Sequence, residues 1–306
     1  MLHISERWRS TARELAWQIA YRPKTAGTIL DDTATPFNLL NLEGDCWGAD
    51  PFLFEKDGKT YLFYELFLEK ERKGVIALSV FDGKGFTAPA TVIEEPFHLS
   101  FPCIFTIGDK VYMIPETGSQ NAIILYECVD FPYKWQQKKT LLKIESPSDT
   151  IVYTKDKEIF VLASILKGSA SSAQNLLYRL DKKALTLNLC ATQQDYGNAG
   201  FRNAGFLLNC KDGLVRPGQN CPQNDYGKSL YFWKVTKLTD GDFAEEFIKE
   251  ITCEDIKVDG KFNGIHTYNY LNGFDVIDLR IVIKHNIFKR LLMFFKYCIQ
   301  FLKNHR

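Results

Sequence analysis

The stretch Cys46-Trp-Gly-Ala-Asp-Pro-Phe-Leu-Phe-Glu-Lys-Asp-Gly-Lys-Thr-Tyr-Leu-Phe-Tyr-Glu65 reads as a complete two-strand unit. Phe52, Leu53 and Phe54 form a short apolar strand. Asp57-Gly58 is a hairpin turn whose glycine accepts positive φ, and Tyr61 to Tyr64 return as an apolar, aromatic strand. Because the hairpin doubles back, Asp50 at its start and Glu65 at its end lie at the same rim.

Four more copies follow at a period of roughly 50 residues. Aligned on Tyr61, the second is Phe101 to Glu116, which places Pro102 on Pro51 and Glu116 on Glu65. The third, Asp149 to Ala163, places Asp149 on Asp50. The fourth is Ala204 to Gln219, and a weaker fifth runs from Gly264 to Ile277. After each of the first four hairpins comes a further apolar segment suited to an outer strand: Gly74 to Phe81, Ala122 to Glu127, Leu176 to Leu180 and Ser229 to Val235. All-β units at this spacing predict an all-β fold, a five-bladed β-propeller over residues 45–280. An irregular β-sandwich is the alternative.

The flanks read differently. Residues 1–44 form an N-terminal segment: a short helix over Ser5 to Leu15, then a strand in which Trp17, Ile19 and Tyr21 alternate with small or polar residues, then a polar connector from Gly27 to Glu43. A propeller must hide the edges of its first and last blades, so the strand is expected to join the last blade and close the ring. Ser164 to Asn175 and Thr192 to Arg202 read as loops. Residues 281–306 carry six Lys or Arg, two His and no acid, interleaved with Phe288, Leu291, Leu292 and Phe295. This predicts a basic amphipathic helix, too short in its uncharged run to span a bilayer and suited over 285–303 to an anionic membrane surface. A helix docked on the propeller is the alternative.

Lys and Arg number 38 against 37 Asp and Glu, so the charge balance gives no reason to expect a nucleic-acid partner. The eight cysteines have no C-x-x-C spacing and are expected to be reduced thiols, neither zinc ligands nor disulfides. No phosphate loop, dinucleotide fingerprint or metal-spaced His/Cys cluster is present, so neither a cofactor nor a metal is expected. The first 13 residues are charged and lack the apolar core of a secretory signal. A cytoplasmic protein is expected, peripheral to the inner face of the plasma membrane if its tail binds lipid.

If every hairpin starts and ends at one rim, the side chains converging there are Asp50 and Glu65 from the first unit, Glu116 from the second, Asp149 from the third, Arg202 and Gln219 from the fourth and His266 from the fifth. Carboxylates crowded in one well repel, which raises at least one pKa and keeps a general acid protonated beside an ionised partner. Two carboxylates across a glycosidic bond are the minimum apparatus for acetal chemistry. Arg202 and His266 would orient hydroxyls or an anionic sugar, and Trp47 would stack on a pyranose face. Asx turns at Asp50 and Asp149, or pairing of the glutamates with Arg202, are the structural alternatives.

The motifs Ala49-Asp-Pro-Phe-Leu-Phe, Met113-Ile-Pro-Glu-Thr117, Asp130-Phe-Pro-Tyr133, Arg216-Pro-x-Gln-Asn220 and Gly264-Ile-His-Thr267 resemble the N-terminal domain family of the plant glucosamine inositolphosphorylceramide transferases, over about residues 15–280. Similar bacterial domains are linked to surface-glycan assembly. That domain is in turn similar to five-bladed glycoside hydrolases of the arabinanase and fructosidase type. The resemblance implies Asp50 as base or nucleophile and Asp149 as transition-state stabiliser. It also implies a glutamic acid from the fourth blade, where this chain has Arg202-Asn203-Ala204-Gly205 instead, so Glu116 or Glu65 would supply the proton. The separate glycosyltransferase domain of the plant proteins is expected to be absent, so the resemblance does not imply its activity.

Three functions follow as expectations. The first is an enzyme for glycosyl transfer or glycoside cleavage on a cell-envelope or lipid-linked glycan, with Asp50, Glu116 and Asp149 catalytic and Trp47, Glu65, Arg202, Gln219 and His266 binding substrate. The second is a carbohydrate-binding module without chemistry. The third is an assembly scaffold.

Overall fold

The computed structural model describes residues 13–284 except 24, 26, 170–171, 194–199 and 224, together with 287 and 291. Two strands, β1 (Arg13–Pro23) and β2 (Asn38–Leu39), come first in the chain and belong to the last sheet. Blade 1 is β3 (Cys46–Lys56), β4 (Lys59–Leu68), β5 (Lys73–Val80) and β6 (Ala90–Ile93). Blade 2 is β7 (Ser100–Ile107), β8 (Lys110–Glu116), β9 (Ala122–Asp130) and β10 (Lys134–Lys143). Blade 3 is β11 (Pro147–Lys155), β12 (Glu158–Ser169), β13 (Ser172–Asp181) and β14 (Thr186–Thr192). Blade 4 is β15 (Leu208–Cys210), β16 (Gly213–Asn220), β17 (Ser229–Thr239) and β18 (Asp242–Thr252). In blade 5, β19 (Ile265–Leu271) and β20 (Phe274–Lys284) are continued by β1 and β2, in the order β19-β20-β1-β2.

The hairpins form because their turns tolerate left-handed backbone. Asp57-Gly58 and Asn272-Gly273 place both central residues at positive φ, the geometry that matches the strand twist. A second left-handed residue recurs near the start of each of the first three inner strands: Asp50 (φ 51), Phe101 (φ 47) and Asp149 (φ 44). At each, the ladder to the next strand shifts register, between Ala49 and Phe52, Ser100 and Cys103, and Ser148 and Ile151. These bulges re-aim single side chains at the rim, a common use of the device. Apolar packing between blades locks them together: the Phe52 ring meets Phe101 and Phe206 edge-on, each at 4.8 Å between centroids.

Closure is achieved by β1, which pairs with β20 from Arg13↔Lys284 to Pro23↔Phe274. Arg22 is the anchor. It is buried, and its Nε donates to Oδ2 of buried Asp275 at 2.7 Å while Nη2 donates to the Asp32 carbonyl at 2.6 Å. Within the predicted connector, Ile29, Phe37 and Leu40 are buried, so 27–43 packs against the blades as well as linking them.

Several expectations fail. Leu15 lies in β1, so the predicted Ser5–Leu15 helix does not reach it; the rest of that stretch up to residue 12 is outside the described residues. The predicted loop Ser164–Asn175 is instead the ends of β12 and β13, paired down to Ser169↔Ser172. Its small polar residues suggested a loop, but Ser164 and Asn175 are buried and satisfy each other at 2.8 Å. Residues 281–284 continue β20, so the basic C-terminal segment starts as a strand. The amphipathic helix expected beyond it falls outside the described residues apart from 287 and 291.

Candidate functional site

A well of about 190 Å³ opens at the rim, lined by Trp17, Trp47, Asp50, Glu65, His98, Ser100, Glu116, Asp149, Arg202, Tyr226 and His266. All the predicted site residues except Gln219 are in this lining. Gln219 is buried in β16 and spends its amide on the Asn203 carbonyl at 2.9 Å.

The bulges tie each blade to its neighbour through a carboxyl group. The Phe101 N–H donates to Oδ2 of Asp50 at 3.2 Å, the Asp149 N–H to Oε2 of Glu116 at 3.1 Å, and the Asp50 N–H to Oδ2 of Asp278 at 2.9 Å. One side of the well is a paired charge. Arg202 donates through Nε to Oδ2 of Asp149 at 2.6 Å and through Nη2 to Oδ1 at 3.1 Å, with Oε2 of Glu116 3.8 Å away. Ser148 sits between them. Its hydroxyl accepts from Arg202 at 2.9 Å and lies 2.5 Å from Glu116 and 2.9 Å from Asp149, with one proton to give.

Burial sets the protonation of the rest. Glu116 is pushed up to about 7, by burial and then by the Asp149 charge, against the pull of Arg202. Asp50 is held well above the ordinary carboxylate range by burial and then by Asp278, Glu65, Asp149 and Glu116. Glu65 is likewise held well above it, by burial, Glu116 and Asp278. Asp50 Oδ1 and Glu65 Oε1 are buried and make no hydrogen bond among the described residues. Such atoms are costly unless a ligand satisfies them.

Two histidines face these atoms. The Gly74 N–H donates to Nδ1 of His98 at 3.0 Å, which leaves the ring proton on Nε2, 3.5 Å from Glu65 Oε1; burial pulls His98 below its usual pKa. His266 Nδ1 lies 2.7 Å from Oδ1 of Asp278, and its Nε2 is 3.5 Å from Asp50 Oδ1. Burial pushes Asp278 up, but His266, Thr267 and the Asp50 N–H outweigh it and hold this carboxyl below its ordinary range.

Aromatic rings complete the wall. Trp17, from the closing strand, stacks on His266 with centroids 3.7 Å apart and planes 14° apart. Tyr226 meets both rings edge-on and receives the Arg202 guanidinium 5.3 Å from its centroid. Trp47 stacks on Phe67 at 4.4 Å and donates its indole N–H to Glu69 at 2.9 Å.

Trp17, His98, Ser100, Tyr226 and Asp278 were not among the predicted site residues. Asp278 left a signal. Superposing the turns Asn272-Gly273 and Asp57-Gly58 puts it on Phe63, and on Ile114 and Leu162 of the next two blades, all buried and apolar. A carboxyl group at that position breaks the repeat.

Asp50, His266 and Asp278 have ligand atoms close enough to share a cation. However, Asp278 already accepts from four N–H groups, those of Asp50, His266 (backbone and ring) and Thr267. Among the described residues, Asp50 Oδ1 and His266 Nε2 are the atoms of this group with no hydrogen-bond partner, too few for an all-protein cage.

Five four-stranded blades around an acid-lined well define a five-bladed propeller. The same architecture is found in glycoside hydrolases. A GH43 β-xylosidase/α-arabinofuranosidase from a compost microbial metagenome, in complex with xylotriose, matches with a TM-score of 0.55 at 10% identity, covering 87% of this chain and 96% of that one. An exo-1,5-α-L-arabinanase from a bovine ruminal metagenomic library matches with a TM-score of 0.52 at 15% identity, covering 80% and 95%. In sequence, the chain belongs to the family described as glucosamine inositolphosphorylceramide transferase 1, N-terminal, which it matches over residues 5–279. It is 27% identical over 258 residues to glucosamine inositolphosphorylceramide transferase 1 of Oryza sativa subsp. japonica, covering 78% of this chain and 31% of that protein. The Arabidopsis thaliana protein of the same name is 25% identical over 269 residues, covering 86% and 34%. The chain therefore spans about a third of the length of these curated relatives.

Proposed function

We propose that the protein is glycan-active. In this reading the well holds a sugar of a cell-envelope polysaccharide or lipid-linked glycan precursor, and Glu116 donates the proton in glycosyl transfer or glycoside cleavage. The observation that carries it is the state of Glu116. Its side chain is 22% exposed, against 2% for Asp149, 6% for Glu65 and 8% for Asp50, so it is the carboxyl group a substrate can reach. Held at about 7, it is both protonated often enough to give a proton and acidic enough to part with it. Trp47 and Tyr226, half-buried in the lining, offer ring surface to a sugar, and the family name and the hydrolase-like fold point to the same substrate class.

One observation favours the second reading, a carbohydrate-binding module. Arg202 engages both oxygens of Asp149 and neutralises the charge that would stabilise a cationic sugar. A glycan array followed by product analysis separates the two. Turnover that disappears in Glu116→Gln while binding persists supports the enzyme; binding by the wild type without any product leaves the module.

The proposal includes a place of action, an anionic membrane surface contacted by residues 285–303. Ile287 and Leu291, four positions apart in the sequence, are 61% and 40% exposed. Co-sedimentation with anionic liposomes that falls with added salt, and is lost on truncation after Lys284, is the expected result. Unchanged sedimentation after truncation would remove the membrane from the account.

A further inference from the structure

The proposed chemistry leaves Asp50 with a difficulty that its neighbours resolve. Buried beside Asp278, Glu65, Asp149 and Glu116, its carboxyl is held well above the ordinary range and so pushed toward the protonated form. A protonated acid is neither a base nor a nucleophile. To act as either it must hand its proton to a base within reach.

His266 is placed to be that base. Its Nδ1 is taken by the 2.7 Å bond to Asp278, which, as an acceptor, fixes the ring proton on Nδ1 and leaves a lone pair on Nε2. That lone pair faces Asp50 Oδ1 at 3.5 Å, and Oδ1 has no other hydrogen-bond partner. The separation is longer than a formed hydrogen bond, and in ligand-free sites such contacts commonly tighten only when substrate arrives.

The surroundings suit a positive ring. Asp278 is fixed by three further N–H groups, from Asp50, His266 and Thr267, so it cannot turn away. Trp17 from β1 lies flat on the imidazole, and an indole face attracts a cation. Tyr226 lies beside the edge of the imidazole, 5.4 Å from it and 6.0 Å from Trp17 between centroids, with its phenol held protonated by burial. Arg202, the cation that would oppose a second positive charge, is already paired with Asp149.

We propose that Asp278 and His266 form a proton-accepting pair for Asp50. In the step, the O–H bond at Asp50 Oδ1 breaks and its electron pair stays on oxygen. An N–H bond forms at His266 Nε2, leaving an Asp50 carboxylate beside an imidazolium clamped by Asp278 and Trp17. His266 is then the partner of Asp50 and Asp278 a positioning residue. The roles rest on the glycan-active reading, but the proton's location does not.

The test is a ¹⁵N NMR measurement of the His266 ring in the full chain, free and with a xylo-oligosaccharide as probe, from pH 5 to 9. The expected result is a wild-type ring with both nitrogens protonated at pH 7, and a neutral ring carrying its proton on Nδ1 in Asp50→Asn. In Asp278→Asn the Nδ1 proton preference should be lost. A neutral wild-type ring at pH 7 in both the free and the bound sample, or a ring unaltered by Asp50→Asn, overturns the proposal. Product analysis on the same samples reports separately on the glycan-active reading, so the two can fail independently.

Discussion

Arg202 and Asp149 are joined by two hydrogen bonds, 2.6 and 3.1 Å long, inside a well that also holds the carboxyl groups of Asp50, Glu65 and Glu116. Repulsion among crowded carboxyl groups, taken alone, would leave stability unchanged or slightly raised when Asp149 is neutralised. The pair reverses this expectation, because removing one partner strands the other as an uncompensated buried charge. Asp149→Asn should destabilise the protein by about 3 kcal/mol or more, read as a lower urea midpoint. Adding Arg202→Met should restore part of the loss, since the two sites share one interaction.

Glu116 makes stability and activity depend on pH in stated directions. Its carboxyl moves from 4.5 in the unfolded chain to about 7 in the folded one. Below 4.5 the group is protonated in both states and its contribution is fully present. As pH rises through 7 the unfolded chain sheds the proton first, so that contribution is lost, on the order of 3 kcal/mol in all. Glu116→Gln should therefore flatten the fall in stability across this window. Turnover by the wild type should decline as pH rises through about 7, and Glu116→Gln should reduce it by about a hundredfold or more.

Gly227 should be intolerant of any side chain. Its φ is +67, and a Cβ there would lie 2.3 Å from Trp17 Cη2 and 3.0 Å from His266 Cβ. Gly227→Ala should push the indole off the imidazole, changing Trp fluorescence and weakening sugar binding about tenfold, at a stability cost of about 1–3 kcal/mol. Unchanged fluorescence and affinity would show that the stack does not depend on this close approach.

The hairpin units were legible because turn residues and alternating apolar positions recur, and they carried Asp50, Glu65, Glu116, Asp149, Arg202 and His266 to one rim without any knowledge of pairing. Less visible were contributions that cross the repeat. Trp17 reaches the well only because β1 is threaded into blade 5, far along the chain from its neighbour His266. His98 and Tyr226 stand outside the strands, where no period constrains them. Gln219 was misplaced because its position at the end of a hairpin strand suggested the rim, whereas its amide caps the Asn203 carbonyl inside blade 4. The pairing of Arg202 with Asp149 depends on rotamers across two blades, which residue order does not encode.

The last prediction concerns ring closure. Removing residues 1–23 would strip blade 5 of β1, and with it β2, whose described ladder is to β1 alone. The whole length of β20 from Phe274 to Lys284 would then present unpaired N–H and C=O groups, an open edge of the kind that recruits other chains. Asp275, fully buried, would lose Arg22 and keep the Tyr268 hydroxyl, at a cost of about 3–5 kcal/mol for the broken pair alone. Ile19, packed with blade 1, and Ala20, packed with blade 4, both fully buried, would leave cavities on the two faces of blade 5. Because total stability is typically only about 5–15 kcal/mol, these losses exceed what the domain can spare. The truncated chain should show no cooperative thermal transition and should aggregate, while Arg22→Met in the full chain should fold with a lowered midpoint. A truncated protein that melts cooperatively at the wild-type temperature would mean that the propeller closes without its first strand.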